Sequence, residues 1–173
     1  MQILLAPEVT RRLRRELRRA GSLEIGGLLL GEHVRDELFR VVEISVQRSG
    51  GSHAGFMRHP QRHQKQMRNF FRRTGGDYAR FNYLGEWHSH PCFEPAPSPT
   101  DLETMQSIVS DPAVGVNFLV LLVCRLGHGE ALEATAAAFR AGIEPLSVAL
   151  GFESKTEGHE VSWSQRFRRF LGF

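Results

Sequence analysis

Two short strings in the middle of the chain carry residue types that could do chemistry. They are Gly85-Glu86-Trp87-His88-Ser89-His90-Pro91 and, with seven residues between His90 and Ser98, Ser98-Pro99-Thr100-Asp101. In an extended strand, residues two apart point to the same face about 7 Å from one another. His88 and His90 can therefore converge on one ion from the end of a strand. Two imidazoles and a carboxylate suit zinc and leave its fourth position open, the arrangement of a catalytic site and not of a closed structural one. Asp101 is the carboxylate that the proline-bearing loop can turn back toward the histidines.

The same residues have a plainer use. Ser98 followed by Pro99 and, three residues on, Asp101 reads as a helix start, with Ser98 as N-cap, Pro99 in the first turn and Asp101 closing a capping box. The two uses are compatible, because the cap geometry can itself aim Asp101. A general base is also needed. Glu86 lies two residues before His88 and so shares the histidine face of the strand. It is a candidate for the base, or for an outer partner that orients an imidazole. Cys92, two residues past His90, is expected to be packed, with an extra zinc ligand or a redox-sensitive thiol as the alternative. Cys124 ends an apolar run and reads as core. His59 and His63 are four apart, but no HExxH pattern surrounds them, so they are expected to be a solvent-exposed pair.

The elements that must position these residues follow from the periodicity. Residues 7–20 predict a helix with Val9, Leu13, Leu17 and Ala20 on one stripe, bounded by Pro7 and Gly21. Residues 24–31 predict a buried strand, 37–47 a second strand, 48–58 a loop, 60–74 a helix, 80–90 the strand bearing the histidines, and 99–110 a helix. Residues 116–124 predict a central apolar strand and 131–150 one or two more. The glycines Gly26 and Gly27 are read as serving close packing. The prolines at 91, 95, 97 and 99 make the intervening loop either a movable lid or a fixed rim. Trp163, Phe167, Phe170 and Phe173 are spaced for a short tail helix that docks on the domain. The expected fold is a mixed α/β (α+β) domain with a central β-sheet flanked by helices. The domain is expected over residues 1–152, with a basic-aromatic extension over 153–173.

Composition bounds the classes. The 173 residues suffice for one domain, and 41% hydrophobic with 24% charged residues excludes a disordered tail. No run approaches the roughly 20 apolar residues of a membrane span, and the opening MQILLAPE is too short for a secretory signal. Two cysteines form no disulfide framework. A cytoplasmic location and no membrane partner are expected. Twenty of the 22 basic residues are arginine, six of them between Arg11 and Arg19. That run is expected to be a solvated helix face, with nucleic acid not a partner.

The pattern H-x-H, seven residues, S-x-x-D, with an upstream glutamate in Glu24-Ile25-Gly26-Gly27-Leu28-Leu29-Leu30-Gly31, resembles the signature of JAMM metalloproteases (MPN-plus or JAB domains). The likeness covers most of the chain and looks most like the bacterial JAB branch. It implies the MPN fold and one Zn2+ held by His88, His90 and Asp101. It assigns Glu24, not Glu86, as general base and then acid, and Ser98 as the group that stabilises the oxyanion or positions the water. It further implies cleavage after the C-terminal tail of ubiquitin or a ubiquitin-like modifier, with E1-like and E2-like operon partners and a role in antiphage defence. Three alternatives stay open: a non-catalytic MPN scaffold, a DNA-associated protein of the RadC branch, and a plain zinc peptidase.

Overall fold

The computed structural model describes residues 1–48, 59–154 and 161–163. Its elements are β1 (Gln2–Leu5), α1 (Pro7–Ala20), β2 (Gly26–Arg35), β3 (Leu38–Ile44), α2 (Gln64–Arg73), β4 (Phe81–Ser89), α3 (Pro99–Ser110), β5 (Leu119–Leu126), β6 (Leu132–Arg140), β7 (Ile143–Ser147), β8 (Ala149–Glu153) and β9 (Val161–Trp163). The strands form one mixed sheet in the order β7-β6-β5-β4-β2-β3-β1-β8-β9. This is the mixed α/β domain that the sequence leads one to expect.

Each face of the sheet is covered by a helix. On one face, Val9, Leu13 and Leu17 of α1 pack with Ile25, Leu29, Trp87, Val120, Leu122 and Cys124. On the other, Met105 and Val109 of α3 pack with Leu119, Leu121, Val123 and Phe139. The alternate residues of β5 thus enter two different cores. A strand buried on both faces reads as one unbroken apolar run, which is why LVLLVC carries no alternation. α1 starts on Pro7 and stops at Gly21, whose φ of 61° ends the helix. Its outward arginines are exposed, but Glu16 among them is buried and receives Arg48 at 2.6 Å.

Several expectations need correction. Gln2–Leu5 is a strand, parallel to both β3 and β8. Four residues are too few to show a period, so only their partners reveal them. Residues 131–150 hold three strands, because Gly142 at φ 70° turns the chain between β6 and β7. The expected 60–74 helix begins as a 3-10 turn at Pro60–Arg62 and becomes α-helical only from Gln64. In the expected tail helix, Val161–Trp163 is instead a strand antiparallel to β8. Phe167, Phe170 and Phe173 lie outside the described residues. Among the described residues, no helix is long and apolar enough to cross a membrane.

Two glycines are required where β2 and β4 meet their neighbours. A Cβ on Gly27 would stand 2.2 Å from the Ser45 carbonyl oxygen, so the Gly26-Gly27 pair does serve close packing at its second residue. Gly85 adopts φ 145°, and a Cβ there would lie 2.0 Å from the Val120 carbonyl oxygen. The β2–β4 register slips beside it, between Leu29 and Leu30, which is a bulge in β4. The slip puts Tyr83 within 3.2 Å of Glu86, three residues on. Gly27→Ala is expected to lower unfolding free energy by roughly 1–3 kcal/mol through overpacking, read by denaturant titration.

Candidate metal centre

β4 delivers the two histidines as the two-residue period requires. His88 is buried, and its Nε2 lies 3.0 Å from Nε2 of His90. α3 delivers the carboxylate. Its N-cap Ser98 and third residue Asp101 form a full capping box. The Ser98 backbone N–H and its hydroxyl both donate to Asp101 Oδ2 at 2.7 Å, and the Asp101 N–H donates to Ser98 Oγ at 3.2 Å. The same Oδ2 stands 3.4 Å from His88 Nε2 and 3.7 Å from His90 Nε2. Cap and cluster are therefore one arrangement, since the bonds that start the helix also point the carboxylate at the imidazoles.

These three residues could hold a metal ion. Among the described residues, they are the His/Cys/Asp/Glu group whose candidate ligand atoms all lie within 4.8 Å of one another. Tetrahedral zinc with bonds of about 2.0–2.1 Å would separate its ligand atoms by about 3.3 Å. The three observed separations, 3.0, 3.4 and 3.7 Å, bracket that value. The donor set, two imidazole nitrogens and one carboxylate oxygen, suits zinc and leaves a side open.

Local charges agree with such a site. Burial pushes the Asp101 carboxyl up. The His88 hydrogen bond and charge, with the two bonds from Ser98, outweigh it and hold the group well below the usual carboxylate range. Burial and the neighbouring His88 charge push the His90 imidazole down, against its bond to the Glu94 carbonyl and the Asp101 charge. Both shifts leave the ligand forms, carboxylate and neutral imidazole, in place at neutral pH.

Glu24 is brought to this cluster by β-pairing alone. Gly26 opposes His88 in the antiparallel β2–β4 ladder. One step back, the Ile25 N–H donates to Ser89 Oγ at 3.0 Å and the Ser89 N–H donates to the Ile25 carbonyl at 2.8 Å. Glu24 is the next residue, on the face shared by His88 and His90, and it is only 4% exposed. Burial pushes its carboxyl up, the His88 charge pulls it down, and the Asp101 charge pushes it up again. Glu86 also lies on the histidine face. Its Oε1 accepts the Tyr83 hydroxyl at 3.2 Å, one step back along β4 from His88.

Other expectations divide. Cys124 is core, as expected. Burial pushes its thiol far up, and Sγ donates to the His88 carbonyl from behind at 3.7 Å. Cys92 is exposed, not packed, and lies outside the ligand group. His63 is not a solvent-exposed residue. It is 2% exposed at the N-terminus of α2, and its Nδ1 lies 2.7 Å from Ser45 Oγ. Ser45 in turn receives the Leu28 N–H on Oγ, and the Trp87 indole N–H on its carbonyl. This brace under the ligand strand has no local signal, because a buried histidine off any apolar stripe looks like a surface one.

A family model described as prokaryotic homologs of the JAB domain matches residues 6–140. The chain belongs to that family. This JAB-domain chain is 36% identical over 105 residues to a Vibrio cholerae protein named CD-NTase/cGAS isopeptidase, covering 59% of the chain and 62% of the relative. Proteins of the same name from Enterobacter hormaechei and Escherichia coli are 30% and 32% identical, with 63% and 54% of the chain covered. The matched JAB segment spans about three fifths of each relative's length. A Desulfitobacterium hafniense protein solved in solution shares the fold, with a TM-score of 0.63 at 19% identity over 90% of the JAB-domain chain and 96% of its own.

Proposed function

We propose that this JAB-domain protein is a zinc-dependent isopeptidase of the JAMM type. In this reading it releases the C-terminal tail of a ubiquitin-like modifier, or of a comparably conjugated protein, from a target lysine. The observation that carries the reading is the convergence of His88, His90 and Asp101 with buried Glu24 on the same face of β4 and β2. Relatives named CD-NTase/cGAS isopeptidase support the bond type, and the resemblance to bacterial JAB proteins adds an antiphage setting with E1-like and E2-like operon partners.

His88 Nε2, His90 Nε2 and Asp101 Oδ2 would hold the zinc. When bound, zinc polarises a scissile carbonyl and lowers the pKa of water. Glu24, kept basic by its buried site, takes the proton of the attacking water and returns it to the leaving lysine amine. The Ser98 hydroxyl, which donates to Asp101 Oδ2 in the resting site, would turn its single proton to the carbonyl oxygen as negative charge develops there. A donor so placed contributes roughly 10²–10³ in rate. The substrate tail lies extended along the strand edge next to the ligands, bound by main-chain hydrogen bonds. Residues 1–152 form the catalytic domain and 153–173 an extension of it.

The test is hydrolysis. Purified protein loaded with zinc should split a lysine-linked conjugate of its operon's modifier, or of a CD-NTase, into two intact proteins resolved by mass spectrometry. Chelation should stop the reaction and zinc should restore it. Intact conjugates and intact C-terminal fusions after long incubation with the zinc-loaded protein would reject this reading.

A further inference from the structure

The loop between His90 and Asp101 is pinned to the sheet on both sides of one carbonyl. That carbonyl belongs to Glu94, and the His90 Nδ1–H donates to it at 3.2 Å. Facing a carbonyl, Nδ1 must carry the proton, which leaves Nε2 with the bare lone pair that faces His88 and Asp101. On one side of Glu94, the Phe93 carbonyl accepts from Arg125 Nη1 at 2.8 Å. On the other, the Pro95 carbonyl accepts from Thr135 Oγ1 at 2.5 Å. Arg125 Nη2 also donates to Glu94 Oε1 at 3.0 Å, and its Nε donates to Glu133 Oε2 at 2.9 Å. Arg125 and Glu133 are cross-strand partners in β5 and β6, so the guanidinium is held by the sheet itself. Of the two possibilities left by the prolines, the fixed rim is the one that these bonds describe.

We infer that Arg125 and Thr135 are positioning residues for the metal centre, acting through the Glu94 carbonyl on the tautomer and orientation of His90. Neither touches the ligand cluster. Both sit on strands outside the H-x-H…S-x-x-D string. Outer partners of metal-bound histidines typically contribute 10–100-fold in metal affinity. The inference rests on the reading that His88, His90 and Asp101 hold zinc.

The test uses the full chain and zinc itself, with affinity read by competition against a chromogenic chelator. Arg125→Ala and Thr135→Val should each weaken zinc binding by about 10–100-fold, and Thr135→Ser, which keeps the hydroxyl, should retain wild-type affinity. Because both residues act on one carbonyl, the double variant should lose less than the product of the two single losses. Cobalt(II) in place of zinc should give a visible spectrum that is altered in both variants and unchanged in Thr135→Ser. Melting of the metal-free proteins shows which variants are folded. If Arg125→Ala does not fold, Thr135→Val, a near-isosteric change, carries the test. Folded variants that bind zinc as tightly as wild type would overturn the inference, as would a Thr135→Ser variant as weak as Thr135→Val. Wild-type protein that binds no zinc would instead sink the metal-site reading on which both stand.

Discussion

His88→Ala is expected to yield a folded protein that retains almost no zinc and no measurable hydrolysis. In the proposed site His88 supplies one of three ligand atoms, and it is the atom closest to both of the others, at 3.0 and 3.4 Å. Losing a ligand should exceed the roughly 10–100-fold cost of losing an outer partner. Asp101→Asn probes the same centre differently. It removes the charge but keeps a side-chain oxygen that can accept the Ser98 N–H, so α3 keeps most of its cap. Truncation to Ala would add a capping loss of about 1 kcal/mol. Elemental analysis of protein purified without chelator should therefore give one zinc per chain in wild type and a small fraction of that in both His88→Ala and Asp101→Asn, with melting temperatures showing that the fold survives. A His88→Ala variant with full zinc occupancy would place the metal elsewhere.

Glu24→Gln is expected to separate binding from chemistry. The amide keeps the shape of the side chain but cannot accept the proton. Zinc content should stay at the wild-type level while kcat falls by about 10²–10⁴, the usual weight of general acid–base catalysis. The same change should stabilise the metal-free protein. The folded state raises the pKa of Glu24, chiefly by burial and further by the Asp101 charge, with the His88 charge opposing. A carboxyl raised in the folded state prefers its proton there. Its stabilising contribution is complete below the ordinary glutamate pKa and is lost as pH rises through the raised one. Metal-free wild type should thus lose stability across this interval, and metal-free Glu24→Gln should not. At pH 7 the variant should melt above wild type, and the gap should close near pH 4. Equal activity in Glu24→Gln would move the base to Glu86, whose own glutamine variant is the control.

Burial of a functional carboxylate at the expense of stability is a common mark of sites that do chemistry. The contrast between Glu24 and Asp101 has that form. Both are acids near the same imidazoles, yet the His88 hydrogen bond and charge, with two hydrogen bonds from Ser98, hold Asp101 ionised against its burial, while burial pushes Glu24 toward its protonated form. Two carboxyls with pKa values driven apart can take different roles, one as ligand and one as proton carrier.

What the sequence determined by itself is local. The two-residue period of β4 puts His88 and His90 on one face. The Ser98-Pro99-Thr100-Asp101 string starts a helix and turns Asp101 inward with the same three hydrogen bonds. The stripe of α1 and the apolar run of β5 are likewise properties of neighbouring residues, and both are legible because helix and strand repeat over short distances. Tertiary structure decided the rest. Glu24 and His88 are separated by two whole strands, a helix and most of a third strand, and only the β2–β4 register, closed by the mutual bonds of Ile25 and Ser89, brings Glu24 to the histidine face. Without the family resemblance, Glu86 was the nearer candidate for the base, because sequence distance is the only distance a sequence contains. His63 reads as a surface residue in the sequence because its partner Ser45 lies 18 positions away, just past the end of β3. The proline-bearing rim beside the candidate ligands reads equally as a lid or a wall in the sequence, and only Arg125 and Thr135, from two other strands, fix it by holding its carbonyls. In each case the deciding contact joins residues far apart in the chain. Such contacts depend on how the whole sheet pairs, which no local period encodes.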